Sequence, residues 1–146
     1  MVTIDDDTVY GRSMVCDLLK ALRAINYEGA VGFSGFRGDR KEADVQPPMT
    51  DHERAKLEQL KRVFPEAECE KVLEGFGMVA YMSHLINVPE AQFASSLSRQ
   101  CFNSDDLVIS YSLEKGQIPR FSIPCKMGHP SYLQLLLGYQ PDALHM

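Results

Sequence analysis

The apolar residues of this sequence recur with two different periods, and the alternation between them constrains the fold. Helical spacing produces two stripes: Val15, Leu18, Leu19, Leu22 and Ile25, and then Leu57, Leu60 and Phe64. Between and after these stripes come short apolar runs bounded by glycine and proline, as is typical of strands. A chain that mixes the two patterns in this order predicts an α+β domain.

Local end signals set the bounds of the expected helices. Asp6 and Asp7 can cap a helix over residues 8–26, with Gly29 as its C-terminal glycine. Thr50 and Glu53 form a capping box, which predicts a helix over residues 51–64 that Pro65 ends.

The remaining apolar runs predict strands and two further helices. We expect a strand over 30–36 and two adjacent strands within 71–88, a helix over 78–86 being the alternative. The expected helix from Pro89 carries Phe93, Leu97 and Cys101 at helical spacing. Residues 107–111 and 117–123 then predict a hairpin around the turn at 114–116, and Pro119 places its second strand at a sheet edge.

These elements predict a two-layer α+β sandwich. It would combine a mostly antiparallel sheet of roughly five strands with three main helices and a short C-terminal helix over 131–137. All 146 residues would form a single globular domain with a mobile loop at 37–49. The tail at 125–146 would either dock on this domain or form a subunit interface, through Tyr132, Leu133, Leu136 and Leu137.

Charge and cysteine usage narrow the functional classes. The net charge of -5 argues against direct binding to DNA or RNA and favours a basic protein partner. The four cysteines form no close pair, which predicts reduced thiols and a cytoplasmic location. No apolar run is long enough to span a membrane, and Cys125 with His129 is an incomplete metal-ligand pattern, so we expect neither a membrane span nor a metal.

The segment at residues 32–40 is the strongest candidate for a ligand site. Glycines stand at every third position, and Arg37 and Arg40 follow, so open backbone amides and two guanidinium groups could hold an anion. The alternative is a flexible strand end with solvated arginines. Ser34 lacks the second glycine of a nucleophile elbow.

Two histidines and one cysteine allow a functional or a structural interpretation. His52 at the start of a helix, near Glu53 and Arg37, could act as a general base, although a surface histidine is the commoner case. His84, within an apolar run, is expected to be a hydrogen-bonded core residue, and Cys16 is expected to be buried.

Scattered residues between 33 and 112 resemble small uncharacterised α+β proteins of bacteria and their phages. The resemblance rests on Phe36-Arg37, Glu53-Arg54, Glu74-Gly75-Phe76-Gly77, and Arg99-Gln100 followed by Phe102 and Ser104. It implies no activity. It implies that Arg37, Glu53, Arg54, Gln100 and Ser104 face one another.

Together these patterns favour a small non-enzymatic binding protein without a cofactor. It would inhibit or sequester either a protein partner or a small anionic ligand. The alternatives are an enzyme that acts on a phosphate-bearing or nucleotide substrate, with His52 or Glu53 moving a proton, and a structural subunit that forms a homo-oligomer or larger assembly.

Overall fold

The computed structural model describes residues 1–3, 8–37, 48–74, 78–86, 105–124 and 134–135. The strands in this part of the chain are β1 (Val2–Thr3), β2 (Thr8–Val9), β3 (Ala30–Gly32), β4 (Gly35–Phe36), β5 (Glu68–Glu70), β6 (Val72–Leu73), β7 (Val79–Tyr81), β8 (Arg120–Ser122) and β9 (Gln134–Leu135). The helices are α1 (Arg12–Ala24), α2 (Asp51–Lys61), α3 (Asp105–Lys115) and a 3-10 helix (Ser83–Leu85). This mixture confirms the α+β class.

Five strands form the main sheet in the order β1-β7-β3-β8-β5. Three of its pairs are antiparallel, and the β3–β8 pair is parallel, which confirms the expected mostly antiparallel sheet. Two short antiparallel pairs, β2–β9 and β4–β6, form separate two-stranded sheets.

One face of the sheet packs on α1 and α2. Side chains alternate between the faces of a strand, and Val31, Ala80, Phe121 and Cys69 occupy paired positions that face these helices. The helices contribute Met14, Leu18, Ala21, Leu22 and Ile25 from α1, and Leu57 and Leu60 from α2. Burial of such a side chain contributes about 2 kcal/mol, so these stripes fix both helices on the sheet.

The opposite face of the sheet packs on α3. Ala30, Val79 and Tyr81 form a second cluster with Leu73 and with Leu113 of α3. Helices therefore contact both faces of the sheet among the described residues. The described residues do not confirm the predicted two-layer sandwich.

A buried lysine joins α2 to the end of α1. The Lys56 ammonium donates to the carbonyl oxygen of Ile25 at 3.3 Å and forms an ion pair with Glu28. A cation suits this position because the carbonyl groups at a helix C-terminus carry partial negative charge.

Helix α1 is shorter than predicted. Thr8 and Val9, expected in its first turn, form β2 and pair with β9 instead. At the other end, Asn26 and Tyr27 adopt positive φ values of 56° and 61° and complete the turn before Gly29. Gly29 serves close packing, since a Cβ there would stand 2.8 Å from Ile25 and 3.0 Å from the Pro119 carbonyl oxygen.

The predicted strand at 30–36 and helix at 51–64 are found in shortened form. The strand consists of β3 and β4, separated by two residues. The capping box of Thr50 and Glu53 is present, and α2 ends at Lys61, three residues before Phe64. Phe64 packs against the core from the turn that follows.

Residues 71–88 contain the two predicted strands, but these are not neighbours. β6 pairs with β4, while β7 lies between β1 and β3. His84 lies in the 3-10 helix and is exposed, so its prediction as a core residue is wrong.

The predicted hairpin at 107–123 is wrong. Residues 105–115 form helix α3, which replaces the first strand of the predicted hairpin. The returning segment forms β8, which lies inside the sheet between β3 and β5 and not at its edge. Pro119 lies just before β8, so its missing N–H removes no bond within the strand. Its carbonyl oxygen accepts the Ala30 amide at 2.9 Å.

Two predicted segments lie largely outside the described residues: the loop after Arg37 and the helix from Pro89. Of the predicted C-terminal helix, only Gln134 and Leu135 are described, and they form β9. None of the described helices has the length and apolar character that a membrane crossing requires.

Candidate functional site

A cavity of about 630 Å³ lies between the edge strand β5, helix α2 and the end of β4. Its volume falls within the range of small-molecule sites. The residues that line it are Gly35, Phe36, Arg37, Pro48, Met49, Leu57, Lys61, Ala67, Glu68, Cys69 and Glu70.

One part of the cavity wall is apolar. Leu57 of α2 and Ala67, which precedes β5, belong to the core cluster between the sheet and helices α1 and α2, and Met49 packs against this cluster. Phe36, at the end of β4, extends this wall. The cavity can therefore hold the apolar body of a ligand.

Arg37 brings a positive charge to the edge of β5. Its Nη1 donates to the carbonyl oxygen of Cys69 at 3.4 Å, and its charge acts on Cys69 and Glu70. Lys61, an exposed residue of α2, adds a second cation to the lining. Arginine presents several donors in a fork, the geometry that carboxylate and phosphate groups require.

Cys69 is buried and lines the same cavity. Burial raises the pKa of its thiol, and the nearby Glu53 carboxylate raises it further, against the opposing charges of Arg37 and Lys71. The neutral thiol is a poor nucleophile, because the thiolate is the reactive form. Cys69 therefore contributes to the wall, and its thiol reacts more slowly than an exposed one.

Glu70 is a buried carboxyl at the cavity, 5% exposed. Burial raises its pKa, even though the Ser122 hydroxyl donates to its Oε1 at 2.6 Å. Gly35 makes this position possible, since a Cβ on residue 35 would stand 2.8 Å from Glu70 Cγ. A carboxyl with a raised pKa in a cavity is a candidate functional group.

A network of charges lies behind this wall and holds the surrounding elements together. The Lys71 ammonium lies 3.3 Å from a Glu53 carboxylate oxygen and 3.9 Å from one of Glu114. Glu114 also pairs with the guanidinium of Arg120, which is 1% exposed and donates to the Ser110 carbonyl oxygen at 2.8 Å. This network joins α2, the bend between β5 and β6, α3 and β8.

Glu53 belongs to that network and to the helix cap. Burial raises the pKa of its carboxyl, but the Thr50 amide and the Lys71 ammonium together bring it below its ordinary value. A carboxylate held in this way is a stable anion and a poor proton acceptor.

Only some of the residues that the sequence analysis grouped as one site belong to the described part of the chain. Arg37 lines the cavity, and the charge of Glu53 acts on Cys69 in its wall. His52 and Arg54 are exposed and do not line it, and Arg54 reaches the Met49 carbonyl oxygen at 3.5 Å. The other predicted site residues, Arg40, Gln100 and Ser104, and the interface residues Tyr132, Leu133, Leu136 and Leu137 lie outside the described part of the chain.

The sequence analysis missed Lys61, Cys69 and Glu70. A signal for Glu70 existed in the run Ala67-Glu68-Cys69-Glu70, which alternates apolar and charged residues as a strand does. The pattern gives Cys69 and Glu70 opposite faces, but it does not show that the second face is also buried.

Within the described ranges, no group of three or more histidine, cysteine, aspartate or glutamate side chains is arranged to hold a metal ion. No model of a known protein family matches the sequence, and no curated protein matches it either.

Proposed function

We propose that the protein is a binding protein that holds a small organic anion in the cavity beside β5. The observation that carries this proposal is the position of Arg37, whose guanidinium lies at a cavity of about 630 Å³ that also has an apolar wall. A ligand with an anionic group and an apolar body matches both parts of the lining. We retain the cytoplasmic location as part of this proposal.

Thermal stability in the presence of a ligand panel tests this function. The panel contains aliphatic and aromatic carboxylates, nucleoside monophosphates and cyclic nucleotides. A ligand at 100 times its dissociation constant stabilises the folded state by about 2.7 kcal/mol, which corresponds to a rise in Tm of roughly 5 to 10 °C. We expect Arg37→Ala to abolish the rise.

The matched control is Arg62→Ala. Arg62 is an exposed arginine just after α2 that does not line the cavity, so its loss changes the net charge equally and leaves the site intact. If no member of the panel gives a shift that Arg37→Ala removes and Arg62→Ala preserves, this function is wrong.

Protection of Cys69 from alkylation locates the bound anion. A ligand in the cavity covers the thiol that lines it, so alkylation of Cys69 should slow while that of the exposed Cys16 continues. Peptide mass spectrometry reads the two sites separately. Equal protection of both thiols would place the ligand elsewhere or indicate a general change in stability.

Glu70 supports a second candidate, an enzyme that acts on a phosphate-bearing substrate. A buried carboxyl near an arginine is a pairing that enzymes use for proton transfer and charge stabilisation. This assignment would give the proton-transfer role to Glu70, since Glu53 is held in the helix cap and by Lys71. Formation of a product from a panel nucleotide, lost in Glu70→Gln, would favour the enzyme over the binding protein.

A further inference from the structure

Glu70 lies between two strands, and one of its oxygens accepts a hydrogen bond from a serine. Its side chain lies against Gly35 of β4, and its Oε1 accepts the Ser122 hydroxyl of β8 at 2.6 Å. The acid is buried and lines the cavity. With Oε1 occupied by the hydroxyl donor, a proton on this acid resides on Oε2.

Two carboxylates and one cation act on Glu70 from the surrounding segments. Glu68 is on the same strand, Glu74 follows β6 and bonds to Ser34, and both raise its pKa, while Arg37 lowers it. Burial is the largest effect and also raises it.

Arg120 of β8 stands at the position paired with Glu70, but its guanidinium is used elsewhere. It donates to the Ser110 carbonyl oxygen and to Glu114, and its Nε has no hydrogen-bond partner among the described residues. Lys71, next in the chain, pairs with Glu53 and Glu114. Neither cation therefore pairs with the Glu70 carboxyl.

We propose that the cavity binds carboxylates, each together with a proton. Arg37 supplies the positive charge, and Glu70 in its acid form donates from Oε2 to a carboxylate oxygen of the ligand. The proton comes from solvent when Glu70 is ionised in the free protein, and no covalent bond forms or breaks. This inference rests on the proposed function.

Benzoate is the probe, since it has one carboxylate and an apolar ring. Calorimetric titrations across the pH range in which Glu70 ionises in the free protein, in two buffers with different ionisation enthalpies, should give an uptake of about one proton per benzoate at the upper end of this range. There the affinity should fall by roughly tenfold per pH unit, because the ionised form of Glu70 repels the ligand.

The variant Glu70→Gln should bind benzoate with an affinity that no longer depends on pH and with no proton uptake, since the amide donates a hydrogen bond at every pH. Glu66→Gln, which neutralises an exposed glutamate outside the cavity, should keep the pH dependence of the parent protein. A parent affinity that is constant with pH, or a pH dependence that Glu70→Gln retains, overturns the proposal.

A measurement on the unmutated protein covers the case in which Glu70→Gln fails to fold. Carbon-detected NMR of the Glu70 carboxyl should show it titrating at higher pH with benzoate bound than in the free protein. Titration at the same pH in both states overturns the proposal.

The outcomes separate this inference from the proposed function. Benzoate binding that Arg37→Ala abolishes but that takes up no proton leaves the anion site standing and removes the role of Glu70. If panel phosphates bind but benzoate does not bind at millimolar concentration, the anion site also stands and the role of Glu70 is removed. If no anion binds, the proposed function fails as well.

Discussion

Arg120 places a guanidinium group in the interior of the fold. Its side chain is 1% exposed and lies between the sheet and α3, where Glu114 and the Ser110 carbonyl oxygen are its partners. Removing the partner of a buried charge costs more than removing both members of the pair, because the remaining charge is left without compensation. The pair therefore secures α3 to the sheet only while both members are present.

Glu114→Gln should lower the free energy of unfolding by about 2 kcal/mol, below the cost typical of fully buried pairs because Glu114 is more than half exposed. Adding Arg120→Met should restore about half of this loss, since the second change removes the stranded charge. Urea unfolding of the two variants measures both effects.

The matched control is Glu58→Gln on the exposed side of α2, where we expect a change within about 0.5 kcal/mol. Equal losses in Glu114→Gln and Glu58→Gln would show that the pair does not stabilise the fold.

Among individual residues, the sequence analysis identified Arg37 of the cavity and missed others. Arg37 was found because glycine spacing and arginines are visible along the chain. Glu70 was missed because its burial depends on β8 and β4, which the chain brings to it from far away. Cys16 was expected inside and is exposed, because α1 turns Leu18 and Leu22, and not its Val15 side, to the sheet.

The capping box stabilises the start of α2 through contacts between residues that are close in the sequence. The Glu53 amide donates to the Thr50 hydroxyl at 3.1 Å, and the Thr50 amide donates to the Glu53 carboxylate at 2.8 Å. Both bonds satisfy amide groups that the helix itself leaves without partners.

Thr50→Ala should therefore lower the free energy of unfolding by about 1 kcal/mol, as judged from urea midpoints. Thr50→Ser keeps the hydroxyl and should recover most of the loss. Alanine and serine variants of equal stability would contradict a role for the cap.

The same locality explains which elements the sequence could predict. The box lies within four residues, so α2 was found with its first residue correct. The run Leu107-Val108-Ile109-Ser110-Tyr111 is rich in β-branched and aromatic residues, so it was interpreted as a strand. The helix at this position buries Leu113 against Ala30, Leu73 and Val79, a contact that local propensity does not encode.

For the whole molecule, the sheet order was beyond sequence reasoning. Every neighbour in the sheet comes from a distant part of the chain, as in the pairing of β3 with β8. Such pairings leave no turn between the partners for a local pattern to reveal. The class of the fold was predictable, and the position of β8 at the interior of the sheet was not.

The balance of acidic groups predicts how the stability of the whole fold changes with pH. Hydrogen bonding by Lys56 lowers the pKa of Glu28, and bonding by Arg120 lowers that of Glu114. Glu53 is also lowered from the ordinary value of 4.5. The stability from these three groups is complete above about pH 4.5 and is lost as the pH falls through their folded-state pKa values. Urea midpoints should therefore decrease from neutral pH to about pH 3.

Glu70 changes the pH dependence of stability in the opposite direction. Burial raises its folded-state pKa, so its contribution is complete below the ordinary value and is lost as the pH rises through the raised one. Glu70→Gln should remove this second trend while leaving the acid loss in place. A parent protein whose urea midpoint does not change on acidification would contradict the assignment of the three lowered groups.

The sheet order also has a consequence for the timing of folding. The ribosome makes β3 and β5 long before β8, yet β8 is the strand that separates them in the finished sheet. A nascent chain that has not reached residue 122 can form α1 and α2 but has no strand to join β3 to β5. Completion of the sheet therefore waits for a late insertion between strands already made, and contacts of such long sequence separation form slowly.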